Sequence, residues 1–234
     1  MTTFSQLVDT IVSESRRPGM VAEIATYINQ TIRGLHFDQE NNKILFFNDN
    51  FREDQLTAGS ESGFSWTIPN PATFQKLKVV SYATRVDYEG KPLYPQRTTP
   101  GRHLNKMSAY YYQAGDRFFF NDYGGLNAKI NLGWFEFPRR LVYQADGRLV
   151  TWDEVEQVFD YDPSLTTDEL KETALARVTN WILTRHEDVV AEGARAKVYK
   201  RVSDTERART SYSMYMSLRG GFWSNEVAFT ESYQ

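Results

Sequence analysis

Three histidines, His36, His103 and His186, are the only imidazoles in this 234-residue sequence, and each stands in a different segment. No Gly-x-Ser-x-Gly turn accompanies any of them, so nothing marks the nucleophile of a Ser–His–Asp arrangement. His186, Glu187 and Asp188 are consecutive. On a helix, neighbouring side chains point about 100° apart, which cannot gather metal ligands on one face as His-Glu-x-x-His does. Asp160 and Asp162 flank Tyr161 ahead of Pro163, an oxygen-rich turn that lacks the glycine and distal glutamate of a calcium loop. Gly124–Gly125 lacks the Lys-Ser/Thr that completes a phosphate-cradling loop. The chain has no cysteine, which excludes disulfides and thiolate zinc sites. These residues point away from an enzyme and call for neither a cofactor nor a metal.

Charge patterning is more informative. Arg177, Arg185, Arg195, Lys197, Lys200, Arg201, Arg207 and Arg209 recur through the last third of the chain, interleaved with Glu187, Asp188, Glu192, Asp204 and Glu206. Acids within a turn of the bases read as a solvated face of weak pairs, roughly 0.3–0.5 kcal/mol each, rather than a phosphate-binding stripe. A net charge of −3 likewise argues against a strongly basic nucleic-acid binder. The longest net-negative run spans 153–168 and carries Asp153, Glu154, Glu156, Asp160 and Asp162, read as a loop with one short helical turn. Aromatic residues make up 15% of the chain. A surplus of this size serves either a Tyr- and Phe-rich β core or self-association.

The elements carrying these residues follow from hydrophobic period. Thr3 and Gln6 form a capping box for a helix near 3–15, and Pro18 suits the first turn of a second, near 20–34, with Val21, Ile24, Ile28, Ile32 and Leu35 on one stripe. From Ile44 to Tyr143 the period shortens to that of antiparallel strands. Asp87–Glu89–Gly90–Lys91 reads as a hairpin tip, Ala114–Gly115–Asp116 and Asp122–Gly125 as turns, and 91–102 as a proline-rich connection. Three helices then follow, near 168–185, 187–202 and 205–218. Capping boxes at Thr166/Glu169 and Ser203/Glu206 start the first and third, while Gly220 and Gly221 stop the last. Their inward stripes include Leu170, Ala174, Val178, Trp181 and Ile182, then Val190, Ala194, Val198 and Val202, then Ala208, Tyr212, Tyr215 and Leu218. The small residues Ala191, Gly193, Ala194 and Ala196 admit a close neighbour.

The predicted architecture is α+β: an antiparallel helical bundle of 1–43 and 144–218, an inserted antiparallel β lobe of 44–143, and a tail of 219–234. The tail carries Phe222, Trp223, Val227, Phe229 and Tyr233 with too little chain to enclose them, so it is expected to stay mobile and order on docking. With no signal peptide and no long apolar run, a cytosolic origin without a membrane span is expected.

The order of these segments resembles the adaptor, or head-to-tail connector (tail tubular protein A), of tailed bacteriophages. The resemblance rests on the N-terminal helix pair; on Trp66-Thr67-Ile68-Pro69 with Phe74–Val80; on Thr99-Pro100-Gly101-Arg102-His103-Leu104; on Ala109–Tyr112 and Arg117–Phe120; on the strand Lys129–Phe137; and on Val189–Lys197 with Asp204–Arg209. The segment Leu141–Asp168 is longer and more acidic than that family's pattern, and the proline after the last β segments is present only as Pro138. The resemblance implies a structural virion protein of the tail or neck, assembled in the host cytoplasm as a ring of twelve copies between the portal protein and a downstream tail or nozzle protein. DNA would pass through its channel without sequence-specific binding. The tail residues would dock on the portal or a neighbouring copy, and Asp153, Glu154, Glu156, Asp160 and Asp162 are the candidate channel lining, where carboxylates would not grip phosphates. Two other classes stay open: a receptor- or carbohydrate-binding tail component using the aromatic run Tyr110–Phe137, and a hydrolase using paired carboxylates, whose separation sequence does not give.

Overall fold

The chain enters its first helix, α1 (Phe4–Ser15), through the predicted capping box: Gln6 N donates to Thr3 Oγ1, and Thr3 N donates to Gln6 Oε1 at 2.9 Å. The computed structural model describes residues 2–38, 40–41, 43–57, 64–69, 71, 74–82, 94–95, 110–120, 129–145 and 148–232. Phe4, Leu7, Val8 and Ile11 line the buried face of α1. A 3-10 turn at Pro18–Met20 leads into α2 (Val21–Gly34), which buries Ile24, Ile28 and Ile32 as their spacing predicts. Two antiparallel strands follow, β1 (Phe37–Asp38) and β2 (Lys43–Phe47), the second burying Leu45, Phe46 and Phe47.

The chain is α+β and divides into two units, 1–49 with 138–234, and 50–137 between them. The inserted unit holds β3 (Phe51–Thr57), β4 (Phe64–Thr67), β5 (Phe74–Tyr82), β6 (Tyr94–Pro95), β7 (Tyr110–Ala114), β8 (Arg117–Phe120) and β9 (Lys129–Glu136). They form two sheets, ordered β3-β9-β5 and β4-β8-β7-β6. Pairing is antiparallel except for β6 on β7, which run parallel, against the all-antiparallel expectation. Alternation places Ile130, Leu132 and Trp134 of β9 in a core with Trp66, Leu77, Phe118 and Phe120, and Trp134 Nε1 donates to Glu136 Oε1 at 2.9 Å. Gly115 makes the β7–β8 turn at φ +63, a conformation that suits its missing Cβ. The predicted tip at 87–91, the turn at 122–125, Thr99–Leu104 and His103 lie outside the described residues.

The division falls at 49/50 and 137/138, not at 43/44 and 143/144 as the change of period suggested. β2 belongs with the helices because Leu45 and Phe47 enter their core. On the return, Leu141 is buried in that core, held by Asn29: its N–H donates to Asn29 Oδ1 at 2.8 Å, and Asn29 Nδ2 donates to its carbonyl at 3.0 Å.

The expected acidic loop is instead a hairpin of β10 (Val150–Asp153) and β11 (Val158–Tyr161). Val150 and Trp152 alternate inward, a strand period that the surrounding carboxylates obscure in the sequence. One helix over 168–185 is also corrected. α3 (Asp168–Val178) is capped by Thr167 rather than Thr166, Thr179 turns extended, and Asn180 caps a separate α4 (Trp181–Arg185) by accepting from Leu183 N. Leu170 is consequently 46% exposed, and only Ala174 and Val178 of α3 are buried.

α5 (Glu187–Arg201) and α6 (Thr205–Glu226) run antiparallel, since Arg207 lies over the Tyr199 ring, Gly193 faces Tyr215, and His186 meets Phe222. α5 also packs on α2 and α1. The cap of α6 is Asp204, accepting from Arg207 N, not the Ser203/Glu206 box; Ser203 takes the left-handed conformation of the link. Tyr212 is 56% exposed rather than inward. α6 runs straight through Gly220 and Gly221. A final strand, β12 (Val227–Ser232), pairs antiparallel with β2.

Candidate functional site

The residues assigned to a docking tail are built into the fold. Phe222 is 3% exposed, its ring 5.2 Å from Phe47, 5.9 Å from Trp181 and 4.8 Å edge-on from His186. Trp223 Nε1 donates to the Leu35 carbonyl at 2.8 Å, with the Arg219 guanidinium 4.3 Å over its ring. Val227 packs on the same core and Phe229 sits in register with Phe46, while Tyr233 lies outside the described residues. The expectation of a mobile tail with Phe222, Trp223 and Val227 as free anchors is therefore corrected. Burying a ring is worth about 1.5–3 kcal/mol, and with several contacts of this kind that outweighs the roughly 1 kcal/mol per residue that two helical glycines cost.

Four of the five acidic candidates, Asp153, Glu154, Glu156 and Asp160, share one hairpin, and Asp162 directly follows it. Asp153 closes its tip, Oδ1 accepting from Val155 N at 2.7 Å and from Glu156 N at 3.1 Å, and Gln157 Nε2 donates to the Glu154 carbonyl at 2.8 Å. Asp162 accepts from Ser164 N at 2.8 Å, and this bond with the Ser164 hydroxyl holds its carboxyl below the usual range. Glu154, Glu156 and Asp160 are exposed and pair with no cation among the described residues. The root of the hairpin is hooked to α1, because Gln6 Nε2 donates to the Trp152 carbonyl at 2.9 Å and Gln6 Oε1 accepts from Trp152 N at 3.2 Å. The carboxylates thus stand on a fixed support.

The basic residues of the last helices fall into two sets that sequence does not separate. Arg195 is clasped by Glu14 and Glu192, each at 2.7 Å; burial works against its charge, but these carboxylates outweigh it and push its pKa up. Arg185 pairs with Asp49, Arg201 with Glu23 and Arg207 with Asp204. Like Arg177 on α3, Lys197, Lys200 and Arg209 have no acidic partner among the described residues. These three line a cleft of about 570 Å³ between α5 and α6, floored by Gly193, Ala196 and Ala208 and walled by Tyr212 and Tyr215. Lys197 Nζ donates to Thr31 Oγ1 at 3.0 Å, and burial lowers its pKa to about 8. The three cations of its lining suit the cleft to an anionic group. The signal available in the sequence was the i, i+4, i+7 stripe of Gly193, Lys197 and Lys200 facing Ala208, Arg209 and Tyr212. Its meaning depended on where the nearest acids went: Glu192 went to Arg195 and Asp204 to Arg207.

Among the described residues, no group of three or more His, Asp or Glu side chains could hold a metal ion, and no helix is long and apolar enough to cross a membrane. The histidines are parted: His36 is fully buried in the helical unit, with Nδ1 3.3 Å from the Ile32 carbonyl, and His186 Nε2 stands 3.0 Å from Glu226 Oε1. No protein-family model matches the chain, and no curated protein matches it significantly.

Proposed function

We propose that this chain is a non-enzymatic structural protein of a tailed-phage virion, an adaptor whose copies form a ring, twelve by the resemblance, joining the portal to the next tail component and extending the DNA channel. The observation that carries the reading is the interrupted helical unit. Residues 1–49 and 138–234 form one unit with a β unit inserted between them, which is the order of parts that the connector resemblance implies. In this reading the helices of both chain ends form an antiparallel bundle that meets neighbouring copies, and the β unit is presented to the rest of the tail. The unpaired charges on the hairpin and in the α5–α6 cleft suit a surface that is completed by other chains. Electron microscopy of the protein mixed with its virion's portal tests it: a ring stacked on the portal with an open central channel is expected. A protein that leaves the portal bare at micromolar concentration overturns it.

A receptor- or glycan-binding tail component is the second reading, favoured by Tyr112 and Phe119. Their rings stack 5.2 Å apart at 14° on the inserted unit, and both are partly exposed. A glycan array separates the two: binding lost on Tyr112→Ala would favour this reading over the connector.

A further inference from the structure

We infer that the α5–α6 cleft is the seat for the acidic β10–β11 hairpin tip of a second copy of this chain, in a head-to-tail contact that repeats from copy to copy. The inference rests on the ring reading above and gives it a specific contact.

The two surfaces are complementary in charge and kind. The cleft offers Lys197, Lys200 and Arg209 without acidic partners, over a floor of small residues. The tip offers Glu154 and Glu156 on either side of Val155, which is 89% exposed. A valine side chain held out in solvent between two carboxylates matches an apolar floor rimmed by cations. A cleft of about 570 Å³ lies within the range that accepts a ligand of a few residues. The tip is also preorganised. Asp153 ties its backbone, Gln157 holds the left-handed position at φ 57, and Trp152 packs edge-on to Phe159 at 5.0 Å, so little ordering is needed on docking.

Tip and cleft lie apart on one chain. The hairpin root is bonded to Gln6 in the first turn of α1, whereas Glu14 in the last turn of α1 meets α5 at Arg195. Gln6 and Glu14 are eight residues, about 12 Å, apart at 1.5 Å per residue, and Lys197 and Lys200 lie beyond Arg195 toward the end of α5. The two surfaces are therefore different patches of one subunit, which makes the contact heterologous; it closes into a ring or runs on as a filament according to the rotation between copies. The assignment takes Glu154 and Glu156 away from a channel wall and puts them in the joint between subunits.

The absence of native cysteine makes disulfide trapping clean. Full-length V155C and A208C chains, mixed and oxidised, should give a covalent dimer, and a V155C/A208C double variant should give a ladder of multimers. Val142→Cys, equally outside the core at 51% exposure, should crosslink to A208C many-fold less. Adding K197E and K200E to the A208C chain should suppress the crosslink, and E154K with E156K in the V155C chain should restore it, a rescue that misfolding cannot imitate. High salt should reduce the yield, because exposed charges are screened. No V155C–A208C product at high protein concentration overturns the inference, as does suppression without rescue. Protection of Lys197 and Lys200 from acylation by inorganic phosphate, with no crosslink, would make the cleft an anion site instead and equally overturn it. Crosslinked dimers with a bare portal would keep the contact and remove the connector reading; rings on the portal with no crosslink would do the reverse.

Discussion

Gly193 and Tyr215 meet where α5 crosses α6 with no room between them: a Cβ built on Gly193 would lie 2.9 Å from the Tyr215 ring and 2.4 Å from Thr31 Cγ2. Thr31 cannot swing aside easily, because it is β-branched and its hydroxyl is bonded to the Tyr27 carbonyl at 2.8 Å. Gly193→Ala gains about 1 kcal/mol of helix propensity and loses about 1–3 kcal/mol to overpacking. Urea denaturation should therefore show a net loss of stability, and a more stable variant would mean that the three helices are not held this closely.

Gly220 and Gly221 make the opposite case. Both sit inside α6, exposed, with nothing within 4 Å of an added Cβ. Gly220→Ala and Gly221→Ala should each stabilise the protein by about 0.5–1 kcal/mol, read as an upward shift in melting temperature. Destabilisation at both would indicate a helix that ends before them.

Phe222→Ala should cost about 3–5 kcal/mol, since the ring is enclosed by Phe47, Trp181 and His186. Deleting 222–234 should unfold the helical unit rather than leave it intact, because β2 would also lose its partner strand. Unchanged circular dichroism and melting in the truncated protein would sink this placement.

His36 gives a pH dependence with a defined sign. Its burial, chiefly, lowers its pKa from 6.5 to about 3, so above pH 6.5 the ring is neutral in both folded and unfolded chains. As pH falls from 6.5 toward 3, the unfolded chain takes up a proton that the folded chain refuses, and stability is lost, on the order of 4 kcal/mol by the lower limit. His36→Gln should be less stable at pH 7 yet lose less between pH 6.5 and 4 than the wild type. Parallel stability curves would show that His36 does not titrate this way.

Much of the helical scaffold was legible because its signals are local. The Thr3/Gln6 box, the Ile24–Ile28–Ile32 stripe and the small face at Gly193 each depend on residues within a turn or two, and the structure uses them so. The misreadings have one physical origin, which is long-range partners overriding local propensity. Gly220 and Gly221 read as a stop until Phe222 finds Phe47. The hairpin at 150–161 reads as a loop until Trp152 finds Gln6. The cleft stayed hidden for the same reason, since Arg195 and Lys197 look alike in sequence and differ because Glu14, from the far end of the chain, joins Glu192 on one of them.

The pairing of β12 with β2 sets a timetable for synthesis. Phe47 leaves the ribosome long before its partner Val227, by about 10–40 s at about 5–20 residues per second. Throughout that interval, in which the intervening unit 50–137 is made, the nascent chain carries an apolar strand, Leu45-Phe46-Phe47, with one edge unsatisfied. Nascent chains crowded on one message would expose this edge to each other, a ready route to misassembly. Slowing initiation or supplying a chaperone that shelters extended segments should raise the yield of soluble protein more than any change within the inserted unit.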